Sequence, residues 1–583
     1  MSTVHVKING IPVEVEAGTS ILLAAKKAGV RIPTLCYHPD LKPFGSCGMC
    51  IVKQEGSPKI MRACASPCDE GRSYITDDPE LRKVRKEVLQ LTLSTHPASC
   101  LTCIRNGQCE LQDLAAEFGV REQPFQPRVN FRAEKDTSSP SIVLDPVKCV
   151  KCGRCVQVCQ DLQGVFALEF IGRGGNVAMA PAAMLKLNDS PCIKCGQCAA
   201  HCPVGAIYEK DDTGRFEAAV ADPGKVVVAE IAPSIRVGLS EEFGLPAGTV
   251  TTKKVYTALR RLGAKYVHDT NFGADLTIME EGYELVRRIT KGGVLPQFTS
   301  CCPGWVNYAE EYYPDLLDNL SSAKSPMQMQ GPMTKTYFAK NQNLDPSKIF
   351  LVAIMPCTAK KYEIIKDDTM KSSGFQDTDL VLTTRELARL IRQAGIDFAN
   401  LPESEADDPL GEYSGAGTIF GATGGVMEAA IRTAYHAVTG KELEDVEVKA
   451  VRGLKEVKVG EVDMNGRKVR VAVVHGMANA KELLDEVREC KKAGKPAPYD
   501  FVEVMACRGG CVAGGGQPYG ADDEVRAERA AGLYSDDEHC KIRRSHENPS
   551  IKRIYKEFLG EPLSEVSEKY LHTSYRQIPL YKA

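Results

Sequence analysis

The sequence lacks a membrane span: across 583 residues, no apolar run approaches the roughly 18 residues that a spanning helix needs. A leader is not expected either, because Met1 to Ile8 reads as entering a strand directly without a basic-then-apolar segment. Neither sign of charge dominates. Lys and Arg number 73 against 76 Asp and Glu, a net charge of -3, so nucleic acid and anionic membrane are not expected partners. A nicotinamide fingerprint is missing too. Gly415-Ala416-Gly417 and Gly421 to Gly425 are glycine-rich, but the spacing is not G-x-G-x-x-G and no clear strand precedes it. What remains is a soluble cytoplasmic protein of about four domains by length, with 43% apolar residues to build their cores.

Cysteine, by contrast, is abundant, with 23 residues. Cytosolic thiols stay reduced, which sets disulfides aside, and the short spacings favour metal sites. Zinc, the competing metal, prefers paired C-x-x-C units closed into four-ligand sites. The front of the chain reads as a hairpin, Val4 to Ile8 and Ile11 to Val15 about an Asn9-Gly10 turn, followed by a helix from Ile21 to Ala28 stopped by Gly29. Cys36, Cys47, Cys50 and Cys64 follow, with Gly45 and Gly48 bracketing Cys47 so that backbone amides can approach cluster sulfurs. Residues 1–78 therefore look like a [2Fe–2S] ferredoxin-type β-grasp domain, with Cys68 an ordinary buried thiol outside the set. A helix-period stretch from Leu81 to Leu93 leads into His96, Cys100, Cys103 and Cys109. Taken alone this set also suits zinc; in this company it reads as a [4Fe–4S] site with one imidazole and three thiolates, over residues 79–140. Cys149, Cys152, Cys155 and Cys159 form C-x2-C-x2-C-x3-C, and Cys192, Cys195, Cys198 and Cys202 repeat it before Pro203. In such pairs the fourth cysteine of each run serves the other cluster. Cys202 is thus expected with Cys149, Cys152 and Cys155, and Cys159 with Cys192, Cys195 and Cys198, in a 2[4Fe–4S] ferredoxin-like domain over residues 141–220. Three modules in series, holding four clusters, are expected to carry electrons and do no bond chemistry.

Residues 221–583 must then hold the chemistry. Val226 to Ile231, Phe350 to Ile354 and Val469 to Val474 read as buried strands. Helical segments lie between them at Lys253 to Leu262, Met279 to Ile289, Glu386 to Ala394 and Gly425 to Val438. The alternation predicts an α/β domain with a largely parallel sheet, completing a multidomain α+β and α/β chain. Four cysteines, Cys302, Cys357, Cys507 and Cys511, fall in Gly- or Pro-bounded segments after strands or in loops, where open α/β sheets bind ligands. Cys301 sits beside a ligand and is left over, a candidate proton carrier. The tail from Asn548, with Ile551, Ile554, Tyr555 and Phe558, reads as an amphipathic helix packed on the body. Cys490 and Cys540 read as structural.

Thr299 to Trp305, Met355 to Lys361 with Glu363, and Glu503 to Pro518 resemble the three signatures of [FeFe]-hydrogenases, and the resemblance covers essentially the whole chain. It implies an H-cluster: a [4Fe–4S] cube held by Cys302, Cys357, Cys507 and Cys511, bridged through Cys511 to a diiron subsite with CO, cyanide and azadithiolate ligands. Lys360 and Ser234 would make polar contacts to that subsite, and Met355 and Met505 would pack on it. The implied reaction is reversible cleavage of dihydrogen, with protons leaving through Cys301, Glu281, Ser321, Glu284 and Arg288. Glu281, Glu284 and Arg288 stand at i, i+3 and i+7, one face of a helix. Implied partners are separate flavin/NAD(P)-binding and [2Fe–2S] subunits and ferredoxin, as in electron-bifurcating complexes. The alternatives are a stand-alone ferredoxin-dependent hydrogenase, a pure electron-transfer subunit, or an iron–sulfur assembly or sensing relative. Such relatives generally lack the thiol at the position of Cys301.

Overall fold

The structure, a computed structural model, describes residues 2–126 and 134–582; residues 127–133, inside the expected 79–140 unit, lie outside it. The front unit is a five-stranded sheet in the order Ile11–Glu16, Thr3–Ile8, Ser73–Ile75, Ile51–Gln54, Ile60–Arg62. Val6, Ile8, Val13 and Val15 alternate inward and bury against Ile21, Leu22, Ala24 and Ala25 of helix Ile21–Lys27. Ser20 caps that helix by accepting from the Leu23 amide. Asn9 and Gly10 both take positive φ, as a two-residue hairpin turn requires.

The two cysteine runs fold as copies. Lys151 and Gly153 in the first, and Lys194 and Gly196 in the second, adopt left-handed backbone. Short helices Arg154–Gln157 and Gln197–His201 follow. This curl turns amides toward sulfur: Lys151 N–H donates to Cys149 Sγ at 3.3 Å. Ile142–Leu144 and Ile207–Glu209 pair antiparallel to close the unit.

The expected single sheet of the catalytic region is two sheets. Tyr266–Asp269, Val226–Ile231, Ile349–Met355 and Leu380–Thr383 form an all-parallel sheet. Gln297–Phe298, Phe501–Met505 and Arg467–His475 form a second, closed by the antiparallel strand Val457–Met464. The second sheet is buried on both faces. Val471 and Val473 pack toward helices Thr270–Lys291 and Gly425–Thr439, while Ala472 and Val474 pack toward Trp305 and Met477. Residues buried on both faces show no polar–apolar alternation, so the split left no trace in the hydrophobic pattern. Phe216 and Ala219 of helix Thr213–Ala221 join the core of the first sheet.

The tail packs on the body. Ile551 and Ile554 are fully buried beside Phe272, Leu276 and Met329, each worth about 1.5–3 kcal/mol relative to exposure. Among the described residues no helix is long and apolar enough to cross a membrane.

Candidate active site and metal centres

The carboxyl ends of strands from both sheets meet at one cavity of about 80 Å³. Each strand delivers a loop to it. Ala232-Pro233-Ser234 follows Val226–Ile231, and Pro356-Cys357 follows Ile349–Met355. Cys301-Cys302 follows Gln297–Phe298, and Ala506 to Cys511 follows Phe501–Met505. The four cysteines expected to hold the cube therefore line one wall from three remote segments. Burial pushes the Cys357 thiol up to about 12, and the Cys302 charge adds to it. Cys507 likewise rises through burial and then through Cys357 and Cys302. So many thiols crowded in a dry pocket cannot ionise unaided; they need a metal to carry the charge.

The rest of the wall suits a bound group. Met355, Met505, Phe420 and Met327 supply apolar surface. Ser234 is fully buried, and its Oγ, on this cavity, has no partner. Lys360 Nζ donates to the Cys301 carbonyl at 3.3 Å and pairs with Glu363 at 2.8 Å. Burial opposes the Lys360 charge, yet Glu363 and the nearby thiols hold its pKa above the ordinary value. A retained ammonium and an orphaned hydroxyl in a thiol-lined apolar pocket fit a metal cluster with small polar ligands.

The proposed proton residues gather in one region, and the outer three are joined by hydrogen bonds. Cys301 is raised by burial first and by Glu281 next, which places the two as neighbours. Glu281 is fully buried, and neither carboxyl oxygen has a hydrogen-bond partner. Burial, then the Glu284 charge, push Glu281 up to about 8. Ser321 Oγ donates to Glu284 at 2.7 Å, and Arg288 Nη2 donates to the other Glu284 oxygen at 2.7 Å. Glu281, Glu284 and Arg288 share one face of helix Thr270–Lys291, as their spacing predicts. Sequence reasoning missed Tyr575, whose hydroxyl donates to the Ser321 carbonyl at 2.6 Å. It also missed Met327 and Phe420. Phe420 lies in the glycine-rich stretch that carries no nucleotide fingerprint: Gly421 lets that loop close on Ser234, and the helix N-terminus beyond is taken by Glu503, which accepts from the Gly424 and Met427 amides at 2.6 and 2.8 Å.

The accessory sets also converge. Cys36 lies beside Cys47 and Cys50 beside Cys64, close enough for each thiol to act on its neighbour's ionisation, with Gly45 and Gly48 in left-handed backbone around Cys47. His96, Cys100, Cys103 and Cys109 line a second cavity, where buried His96 Nδ1 has no partner. Cys202 lies among Cys149, Cys152 and Cys155, while Cys159 lies beside Cys192, Cys195 and Cys198; burial raises Cys152, Cys155, Cys159 and Cys195 most, and the charge of neighbouring thiols adds to it. Cys68 is buried outside its set.

The front units do not stack in a single line: the first unit and the His96 unit each meet the first cysteine group. Phe44 of the first unit lies over Gly153, where a Cβ would come within 2.9 Å of its ring, and Ser46 Oγ reaches the Cys152 carbonyl at 3.5 Å. The His96 unit touches the same region from another side, since a Cβ on Gly205 would lie 2.6 Å from Cys103 Sγ. The second cysteine group faces the catalytic cavity. A Cβ on Gly515 would lie 2.3 Å from the Cys195 carbonyl, and one on Gly304 would lie 3.6 Å from Cys195 Cβ.

Fold and site together define an iron–sulfur redox enzyme with a buried, thiol-held reaction centre fed by its own conduit. The profile described as iron only hydrogenase large subunit, C-terminal domain, matches residues 225–515, and that of the iron hydrogenase small subunit matches residues 523–577. Ahead of them lie matches to a 2Fe-2S iron-sulfur cluster binding domain (1–78), the NADH-ubiquinone oxidoreductase-G iron-sulfur binding region (85–124) and a 4Fe-4S dicluster domain (148–206). The chain is 43% identical to the NADP-reducing hydrogenase subunit HndD of Solidesulfovibrio fructosivorans, over 99% of both chains. It is 42% identical to iron hydrogenase 1 of Clostridium pasteurianum, over 98% of this chain and 99% of that one. A solved structure of the apo [FeFe]-hydrogenase HydA1 from Chlamydomonas reinhardtii aligns at a TM-score of 0.56 and 41% identity, covering 63% of this chain and 99% of that one. The chain belongs to the iron-only hydrogenase family. It is a hydrogenase carrying [2Fe–2S] and [4Fe–4S] clusters beside an H-cluster.

Proposed function

We propose that this chain is the catalytic subunit of a multisubunit, electron-bifurcating hydrogenase that couples hydrogen to ferredoxin and NAD(P). Flavin/NAD(P)-binding and [2Fe–2S] subunits would dock on its front units. The observation that carries this reading is the 43% identity, over 99% of both chains, with a protein named as an NADP-reducing hydrogenase subunit. The absence of a nicotinamide fingerprint in this sequence agrees with a separate subunit for that cofactor.

Within the chain, Cys302, Cys357, Cys507 and Cys511 would hold the cube, Cys511 as the bridge. Cys36, Cys47, Cys50 and Cys64 would hold the [2Fe–2S] cluster, and His96, Cys100, Cys103 and Cys109 the histidine-ligated cluster. The two crossed cysteine groups would hold the ferredoxin-like pair. When bound, the H-cluster supplies the cleavage of dihydrogen and the first electron sink. The chain's own groups do the rest. Lys360 and Ser234 orient polar ligands at the pocket wall, and Met355 and Met505 exclude water from it. Cys301 exchanges protons with the reaction centre and passes them to Glu281. Ser321, Glu284 and Arg288 carry them to the surface, each within hydrogen-bond reach of the next from Ser321 onward.

Anaerobic purification with native partners, followed by hydrogen uptake against ferredoxin, NAD(P) and both together, tests the reading. Uptake that requires both acceptors at once is expected. Full uptake with ferredoxin alone would instead make this a stand-alone ferredoxin-dependent enzyme.

A further inference from the structure

Arg154 stands between Cys152 and Cys155 in the first ferredoxin-like run and is only 4% exposed. Its guanidinium reaches three loops. Nη2 donates to the Tyr37 carbonyl at 2.8 Å and to Glu110 Oε2 at 2.8 Å. Nη1 donates to Glu110 Oε1 at 2.7 Å and to the His201 carbonyl at 3.4 Å. Every one of these partners adjoins a proposed cluster ligand. Tyr37 follows Cys36, Glu110 follows Cys109, and His201 precedes Cys202. One buried cation thus ties together the ligand loops of the [2Fe–2S] cluster, the histidine-ligated cluster and the first cube. These are the centres of the two outer units and of the cysteine group that both of them meet.

The junction is braced from the catalytic side. Arg526 Nη1 donates to Asp40 at 2.8 Å, and the His38 and His201 rings lie 4.3 Å apart. Glu110 faces Arg154 here, and Asp40 and Asp523 face Arg526, the latter at 2.7 Å. Glu110 is part-exposed at the rim, its side chain 41% accessible, while Arg154 is enclosed. The cation is therefore the inner member of this pair, near enough to Cys152 and Cys202 for their charges to act on it. A buried cation stabilises the more negative, reduced form of a thiolate-bound cluster, and charge and hydrogen bonding around the sulfurs set its potential. A planar fork with several fixed donors suits a three-way tie better than a lysine would.

We propose that Arg154 is the positioning residue of the electron junction. It holds three ligand loops in register and raises the potential of the Cys149/Cys152/Cys155/Cys202 cube, making that cube the shared relay of both outer branches. The inference rests on the ligand sets proposed above.

The test uses the full-length holoenzyme with Arg154→Met, Arg154→Lys and Glu110→Gln. It reads iron content, cluster potentials by spectroscopic redox titration, and the rate at which hydrogen reduces the outer clusters. Arg154→Met should keep its iron and lower the first cube against the second by at least tenfold in their electron-exchange equilibrium, about 59 mV for a one-electron step. Reduction of the outer clusters should slow about tenfold or more, in step with that lost equilibrium. Arg154→Lys should restore most of the potential and only part of the rate, because it keeps the charge and loses the fork. Glu110→Gln, which spares the cation, should move the same cube upward. Full iron with an unmoved cube potential in Arg154→Met would overturn the inference, leaving Arg154 a plain tie. If Arg154→Met loses iron, a Glu110→Gln potential that stays put or falls would overturn it equally. Failure of the ligand sets shows separately, as a first cube that survives Cys202→Ser intact.

Discussion

Glu281→Gln separates the chemistry of the relay from its packing. The carboxyl is fully buried, both oxygens lack partners, and burial with the Glu284 charge raises it to about 8. An amide of the same shape fills the site but cannot exchange a proton. Positioned acid–base groups contribute about 100- to 10,000-fold, so turnover should fall by that factor, or about 3–5 kcal/mol of barrier. Iron content should not change. The wild-type pH profile should carry the same signature. Below pH 8 Glu281 holds its proton, so proton reduction should decline as pH rises through about 8, while hydrogen oxidation, which needs a vacant acceptor, should gain. The inflection should vanish in Glu281→Gln.

Stability runs the other way. A carboxyl raised above its ordinary 4.5 contributes most below pH 4.5 and loses that contribution as pH climbs toward 8. At pH 7 the unfolded chain would have released this proton and the folded chain would not, a cost of about 3 kcal/mol that the amide avoids. Glu281→Gln should therefore inactivate more slowly on heating at pH 7 than the wild type. Dye-linked assays across pH 5 to 9 decide the matter. A variant that keeps more than a tenth of its turnover, or retains the inflection, would refute the relay role.

Other outcomes follow from the same geometry. Cys301→Ala should keep its iron and lose nearly all turnover; retained turnover would free Cys301 of any proton role. Fully matured protein should contain about 20 irons per chain, from one two-iron cluster, three four-iron clusters and the six-iron reaction centre; a value near 14 would mean that the catalytic pocket had stayed empty. Deleting residues 1–133 spares the bonds of Asp136 to Leu144 and Leu187. It should abolish NAD(P)-coupled activity with partners while dye-linked hydrogen oxidation survives, and loss of both would count against a modular front end.

Much of the site was legible because its signals are local. The paired runs from Cys149 to Cys202 specify ligation by spacing, and their repetition predicts the crossed grouping in which Cys202 joins the first set. Helix Thr270–Lys291 places Glu281, Glu284 and Arg288 on one face by periodicity alone. What was hidden depends on contacts distant in sequence. Gln297–Phe298 has two residues, too few for any pattern, yet it carries Cys301 and Cys302 to the cavity and defines a second sheet. Tyr575 reaches Ser321 from 254 residues away. The meeting of the front units rests on contacts such as Arg154 to Tyr37, 117 residues apart, and no spacing rule encodes those. Phe420 was masked by its glycine-rich surroundings, where the small residues serve close packing rather than phosphate binding.

Infrared spectroscopy of matured, air-free protein tests most directly whether thiols from three remote loops grip an organometallic centre. Carbonyl and cyanide stretches should be present in the wild type. They should disappear in Cys511→Ser while the accessory clusters keep their irons. Matured protein without carbonyl stretches, or stretches indifferent to Cys511, would contradict that assignment.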